Sequence, residues 1–382
     1  MKSKDATYFN PFELFAYIGE EYFCDRKEEL KELQSALDNR RNLVLISMRR
    51  MGKTQLIRHW HHRLSKEDQV IPIYIDVMQT TSDRQFINRL ASAVLIALEE
   101  RKTIVSKALN VFKSLRPTVS VDPVTGLPEV NLDIRDDRDV GISMEQIARL
   151  LADRKERVQI SIDEFQQISE YAQTVIDASI RANIVPLENT HILFCGSESH
   201  LLHALFNSAK KPLFASTQFM HLDYIGKKAY GSFIEKHFKK AGKIIDKIAV
   251  DEVLRWTRRH TFYTHFLCNQ LYDFPCTTID LEQVEQAKYR CIQHFEMTFL
   301  YYKKLLSKNQ FKVVRAIARE GAVNAINSKK FLNQYGLAAS TATQSVKALT
   351  KDGILYAWQE RDRVVYRVYD VFFSRWLEQL SI

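Results

Sequence analysis

What this sequence lacks narrows its class before any motif is read. Its five cysteines, Cys24, Cys195, Cys268, Cys276 and Cys291, include no CxxC pair. An odd number without pairing spacing argues against a disulfide framework and against a thiolate metal site, and it fits a reducing compartment. No apolar stretch approaches the roughly 20 residues that cross a bilayer. The first residues, Met1 to Asp5, run into polar sequence without the apolar core of a secretion signal. The expected setting is the cytoplasm, with no membrane partner. There is no internal repeat and no low-complexity tract. Acidic residues are the minority charge, 46 Asp and Glu against 55 Lys and Arg, which leaves a formal net charge of +9. That excess fits an acidic partner such as nucleic acid, nucleotide or anionic lipid, and equally fits a solvated basic surface.

With 382 residues, 46% of them hydrophobic, the chain exceeds one ordinary core and predicts two or three domains. Apolar runs at 42–46, 70–77, 158–162, 191–195 and 219–222 read as strands. Helical stretches at 55–64 and 83–101 separate the first three. Strands bounded by turns and alternating with helices predict an α/β fold with a parallel sheet covered on both faces. Residues 117–134 break the alternation with two alternating arms about a Pro/Gly turn, a hairpin expected as an insertion on the sheet rim. The predicted organisation is an α/β core over 1–225, a helical lid without strands over 226–306, and a third domain over 307–382. In that last part Ser307 with Gln310 forms a capping box. Three short helices and a two-stranded ribbon follow, and Asp370 caps a final helix; this is the winged-helix order.

The central motif is Ser47-Met48-Arg49-Arg50-Met51-Gly52-Lys53-Thr54. It matches the phosphate-binding loop GxxxxGK[ST], with Ser47 in the place of the first glycine. Such a loop needs backbone N–H groups converging on phosphates, hence a glycine at closest approach, here Gly52. It needs a lysine that reaches the β- and γ-phosphates, Lys53, and a hydroxyl that ligates Mg²⁺, Thr54. Ser47, Arg50, Met51 and Gln55 complete the expected nucleotide-binding set. A Gly-Lys pair alone would be a plain loop. Here a strand runs in and an amphipathic helix runs out, its positive end toward the phosphates. As a loop lysine, Lys53 is expected to be exposed and to add little to stability.

The strand at 158–162 ends in Asp163-Glu164. Two carboxylates at the tip of a buried strand suit Mg²⁺ hydration for Asp163 and polarisation of an attacking water for Glu164. An acidic helix N-cap is the plainer alternative. Ser197, after the fourth strand, is a candidate γ-phosphate sensor, and a simple turn fits it as well.

Together these motifs resemble the archaeal-type AAA+ ATPases, a group close to the STAND signalling ATPases. Tyr22 to Leu30 is similar to that family's N-terminal FxGREEEL box beside the adenine, with Phe23, Arg26, Glu29 and Leu30 matching and Asp25 replacing a glycine. Arg49 and Arg50 match its GPRRxGKT loop, and Tyr366 to Phe373 its YRVxDPFF ending. The resemblance implies ATP and Mg²⁺ as ligands, Phe23 and Arg26 near the base, and His260 as a lid residue toward the phosphates. It departs in two places. Residues 212–216 carry no arginine where a candidate arginine finger stands, with Lys210 and Lys211 nearby. The lid motif GGxPxYL becomes Arg258-Arg259-His260-Thr261-Phe262-Tyr263-Thr264.

Residues 305–382 hold 12 Lys/Arg and 6 Asp/Glu, a net of +6. If this domain reads DNA, Thr341, Thr343, Gln344 and Lys347 lie on the helix for the major groove, with Arg361 and Arg363 at the wing for phosphates. Packing on the core or on a protein is the alternative. The expected function is an ATP-hydrolysing switch or remodeller acting on a protein or DNA partner, as a homo-oligomer or alone. An ATP-liganded DNA-binding regulator with negligible turnover, or an oligomeric signalling scaffold, are the other classes.

Overall fold

The computed structural model describes residues 10–100, 117–121, 128–360 and 362–380. The chain divides into two compact units, residues 16–224, and residues 10–15 with 225–380.

The first unit opens with α1 (Lys27–Asp38), β1 (Leu43–Ile46), α2 (Lys53–Leu64), β2 (Val70–Asp76) and α3 (Asp83–Glu100). It continues with β3 (Thr118–Val121), β4 (Pro128–Asn131), α4 (Asp137–Ala152), β5 (Arg157–Asp163) and the 3₁₀ turn Phe165–Glu170. It closes with α5 (Ile176–Asn183), β6 (Thr190–Gly196), α6 (Ser199–Phe206) and β7 (Gln218–His221). Five strands form one sheet in the order β2-β5-β6-β1-β7, parallel throughout. The sequence dictates the two-sided cover. In β1, Val44 and Ile46 join the core under α3 to α6, whereas Leu43 and Leu45 join that under α1 and α2. Side chains alternate with period two, so a strand covered on both sides is an unbroken apolar run.

Strand order decides where chemistry can occur. β6 lies between β1 and β5, so the loops leaving these three parallel strands gather at one edge of the sheet. Ligands of open α/β sheets bind outside the carboxyl ends of the strands.

The hairpin forms as a two-stranded ribbon of its own, β3 antiparallel to β4, anchored on α3. Ser92 Oγ accepts from Val130 N at 2.8 Å, and Asn88 Oδ1 accepts from Leu132 N at 3.0 Å. The expected turn, 122–127, lies outside the described residues.

The second unit contains α7 (Lys227–Lys240), β8 (Ile244–Ile245), α8 (Lys247–Trp256), α9 (Thr261–Tyr272), β9 (Thr278–Ile279) and α10 (Leu281–Leu305). The expectation of no strand here is corrected: β8 and β9 pair in parallel, though two residues each are too short for alternation to show. The winged helix follows as α11 (Lys308–Glu320), α12 (Lys329–Tyr335), α13 (Ala339–Lys351), β10 (Leu355–Glu360), β11 (Arg363–Val368) and α14 (Val371–Gln379). Both halves of the Ser307–Gln310 capping box are made, Gly336 ends α12 in the left-handed region (φ 54°), and Asp370 caps α14. Phe372, Phe373 and Trp376 of α14 pack on Trp256 of α8 and Phe299 of α10, so ring contacts join the winged helix to α8 and α10. Residues 10–15 belong to this unit through Phe12, fully buried among Phe233, His237, Phe238, His265 and Tyr272.

Candidate nucleotide site

The loop from Ser47 to Gly52 leaves β1 and turns into α2. Arg50 (φ 62°) and Gly52 (φ 93°) are both left-handed, which folds the backbone back on itself before the helix starts at Lys53. Gly52 adopts that conformation freely; Arg50 does so at a cost of about 1–3 kcal/mol. Ser47 fits the first glycine's position because its φ is not positive. Its N–H donates to Gly196 O of β6 at 3.4 Å, and its Oγ donates to Met48 O at 2.9 Å.

The side chains meet at the sheet edge. Thr54 Oγ1 donates to Asp163 Oδ2 at 2.6 Å, and Tyr74 OH from β2 donates to the same oxygen at 3.1 Å. Lys53 Nζ lies 3.6 Å from Glu164 Oε1. Glu164 Oε2 accepts from Gln166 Nε2 at 2.5 Å and from Ser197 Oγ at 3.1 Å. Lys53 is only 5% exposed, which corrects the expectation of an exposed loop lysine. Placement at the first position of a helix that packs on the sheet explains the burial. Glu164 occupies the N-cap of the 3₁₀ turn, the position the plainer alternative names, but its side chain makes no cap hydrogen bond there. Its left-handed backbone (φ 54°) is maintained while the carboxylate meets Lys53.

Electrostatics separate the two carboxylates. Burial pushes the Asp163 carboxyl above its usual range, against the pull of Lys53 and the Thr54 hydroxyl. Burial also pushes Glu164 up, but Lys53, Gln166 and Ser197 together outweigh it and hold that carboxyl below the usual range. Thr54 and Asp163 supply hard oxygen donors of the kind that suits a Mg²⁺ retaining most of its waters and taking substrate phosphates. Among the described residues no cluster of His, Cys, Asp and Glu forms a separate metal centre.

The N-terminal box is tied to this loop. Arg26, 5% exposed, donates from Nη1 to Glu29 at 2.8 Å and to Asp223 O at 2.5 Å, and from Nη2 to Met51 O at 3.4 Å. Asp25 (φ 59°) and Arg26 (φ 65°) are both left-handed, so Asp25 stands where a glycine would be free of strain. Phe23 stacks on His59 of α2, ring centroids 4.1 Å apart, and Gln55 Nε2 donates to Ala16 O at 3.4 Å.

His260, the expected lid residue, belongs to the second unit. It stands at the N-cap of α9, buried, its ring 4.7 Å from Tyr263. In the winged helix Thr343, Gln344 and Lys347 are exposed on α13, Thr341 is half-buried, and Arg363 is exposed at the start of β11. Arg361 lies outside the described residues.

Sequence reasoning missed Tyr74 and Gln166, which have no motif of their own. A signal for the polar lining existed in β5, where Gln159, Ser161 and Asp163 share one face. His61 of α2 meets that face at 2.5 Å from Gln159 Oε1 and 3.0 Å from Ser161 Oγ. Burial brings its pKa down to about 3, so the imidazole is neutral beneath the site.

Residues 23–258 match a family model described as an ATPase domain predominantly from Archaea, and residues 297–379 match a winged helix domain. No sequence among curated proteins matches the chain. In fold the chain is similar to the Walker-type ATPase PABY2304 of Pyrococcus abyssi, with TM-score 0.65 and 17% identity, covering 96% of this chain and 99% of that one. It is also similar to the Aeropyrum pernix ORC2 protein in its ADPNP-ADP complexes, with TM-score 0.59 and 12% identity over 97% and 96% of the two chains. Similarity to the ORC1 protein of Aeropyrum pernix, solved in complex with DNA, is lower, with TM-score 0.50 and 14% identity over 94% and 93%. The ATPase model spans more than half of the sequence and coincides with the parallel sheet and its phosphate-loop edge, and the chain belongs to the archaeal-type AAA+ ATPases with a C-terminal winged helix.

Proposed function

We propose that the chain binds ATP with Mg²⁺ at the edge of the β2-β5-β6-β1-β7 sheet and hydrolyses it to ADP and phosphate. The observation that carries this reading is the convergence of Lys53, Thr54, Asp163 and Glu164 within direct contact of one another. The backbone from Ser47 to Gly52 cradles the phosphates, with Arg50, Met51 and Gln55 completing the contact. Phe23 and Arg26 line the base side. Thr54 and Asp163 would hold Mg²⁺, which when bound neutralises charge on the β- and γ-phosphates.

Lys53 and Glu164 neutralise each other across 3.6 Å. ATP offers Lys53 a stronger partner, so the lysine moves its charge to the phosphates. The Glu164 carboxylate then loses the strongest pull on its proton affinity and becomes a better base for water. Water oxygen bonds to the γ-phosphorus, the bond to the β-phosphate oxygen breaks, and the water proton passes to Glu164. Ser197, already bonded to Glu164, senses the γ-phosphate and reports its loss. Residues 226–306 act as the lid that carries His260, and 307–382 pass the change to a partner.

DNA is the partner favoured by the +6 charge of residues 305–382 and by the exposed Gln344, Lys347 and Arg363. A regulator that binds ATP with little turnover is the second reading. It is favoured by the full engagement of both Glu164 oxygens. Titration of Mg-ATP onto the protein tests the binding step. Saturable binding that disappears in Lys53→Ala is expected; equal affinity in that variant would remove the foundation of the reading.

A further inference from the structure

Within the second unit lies a cavity of about 670 Å³ between α7, α8, the start of α10 and β11. Its size falls in the range of small-molecule sites, roughly 300–1,000 Å³. Its walls are unusually basic. Lys227, Arg255, Arg258, Arg259 and Arg367 line it, against Asp251 and Glu252. Both carboxylates are already engaged. Asp251 faces Lys227 at 2.9 Å; Glu252 faces Arg255 at 2.7 Å and also takes Lys288. Among the lining residues positive charge exceeds negative by three; beside them Glu378 lies 3.8 Å from Arg258, and Glu252 takes Arg255 through both Nε and Nη2. Ile248, Leu254 and Leu281 provide an apolar side.

The backbone at the cavity's edge gives a second observation. After α8 and its C-cap Thr257 come two successive left-handed residues, Arg258 (φ 55°) and Arg259 (φ 58°). Their amides donate to Arg255 O at 3.2 Å and Leu254 O at 2.9 Å, which fixes the turn. Glycine would adopt this turn without strain, and no side chain with a Cβ gains anything from it. Strain held at two positions in a row, with an arginine at both, is expected where the side chains themselves are used. Arg258 spans to α14, donating to Ser374 Oγ at 2.8 Å, and Arg259 donates to Ile225 O at 3.3 Å. From the wing, Arg367 joins them while donating to Gly321 O at 3.1 Å.

We propose that this cavity binds a multiply charged phosphate group, from a soluble polyphosphate or from a nucleic-acid backbone, through Arg255, Arg259 and Arg367. Planar guanidinium forks match phosphate oxygens in pairs, and a net excess of three charges suits a polyanion rather than one carboxylate. Because the lining spans α8 and β11, such a ligand would tie the lid helices to the winged helix. The proposal stands whether or not the sheet edge hydrolyses ATP.

The test is calorimetric titration of the full-length protein with inorganic tripolyphosphate at low salt. The phosphate loop also attracts this probe, so the titration is run on wild type and on Lys53→Ala. Lys53→Ala should keep a binding event that weakens as salt rises. Adding Arg259→Gly or Arg255→Gln to it should weaken that event by about tenfold or more, as loss of a charged hydrogen bond does. Arg259→Gly relieves the left-handed strain, and Arg255→Gln changes a side chain that is 68% exposed, so at least one folded variant is available. Melting curves verify this. A short DNA duplex of unrelated sequence assigns the source: displacement of tripolyphosphate points to backbone phosphates, and no displacement to a soluble polyphosphate. Absence of binding by Lys53→Ala at low salt, or undiminished binding in both added variants, would overturn the proposal.

Discussion

Replacing Lys53 with alanine should cost folding stability as well as nucleotide. The lysine is 5% exposed and faces Glu164, itself 21% exposed, across 3.6 Å, with the buried Asp163 beside them. Removing one partner of a fully buried ion pair costs about 3–5 kcal/mol, because the remaining charge stays desolvated. Glu164 is partly solvated, which lowers the expectation to about 2 kcal/mol. For a unit the size of residues 16–224, each kcal/mol is about 2–4 °C in Tm, so a fall of about 4–8 °C is expected. The loss should depend on pH. Glu164 is held below its ordinary pKa, so its contribution is present above the unfolded value and disappears as pH falls through the folded one. In Lys53→Ala that contribution is largely absent, and the difference between the two proteins should shrink as pH is lowered from 7 into the acid range. Thermal melts of nucleotide-free wild type and variant across that range give the comparison. Equal Tm values at pH 7 would refute the reasoning, since the lysine would then behave as the exposed loop residue expected from sequence alone.

Asp163→Asn should abolish Mg²⁺-dependent ATP binding yet leave the nucleotide-free protein at least as stable as wild type at pH 7. Burial raises the Asp163 pKa, so its destabilising contribution grows as pH rises from the unfolded value through the folded one, and titration calorimetry with paired melts detects both effects. Gly196→Ala should destabilise by about 1–3 kcal/mol, as overpacking does. The new methyl would lie 2.0 Å from Gln166 Oε1 and 2.9 Å from Leu202 Cδ1, and denaturant unfolding reads the loss. If the winged helix binds DNA, Arg361→Ala with Arg363→Ala should lower the salt slope by about one unit per lost phosphate contact, similarly for unrelated sequences. Anisotropy titrations at several salt concentrations measure it; Gln344→Ala should matter only where one sequence is preferred.

The sheet was legible because its central strands β1 and β6 are buried on both faces, which leaves runs such as Leu43–Ile46 without polar interruption. The winged helix was legible through its caps, where Ser307, Gly336 and Asp370 act locally on their own helix ends. Two-residue pairings such as β8 with β9 carry no periodicity to read. The turn at Gly52 and the helix start at Lys53 follow from spacing, but the burial of Lys53 follows from the helix packing on the sheet. Tyr74 and Gln166 reach the carboxylates only through the parallel register of β2 with β5 and the turn after β5, so contact between them has no sequence pattern. The left-handed backbone at Asp25, Arg258 and Arg259 explains why the resembling family places glycines there. Without the dihedral angles those departures read as mere substitutions.

Release of inorganic phosphate from Mg-ATP, compared between wild type and Glu164→Gln, tests the central claim most directly. Wild type should release phosphate steadily, and Glu164→Gln should bind Mg-ATP but turn it over at least about a hundredfold more slowly, in the range for a lost general base. Hydrolysis by Glu164→Gln at the wild-type rate would contradict the role given to the carboxylate that Lys53, Gln166 and Ser197 surround.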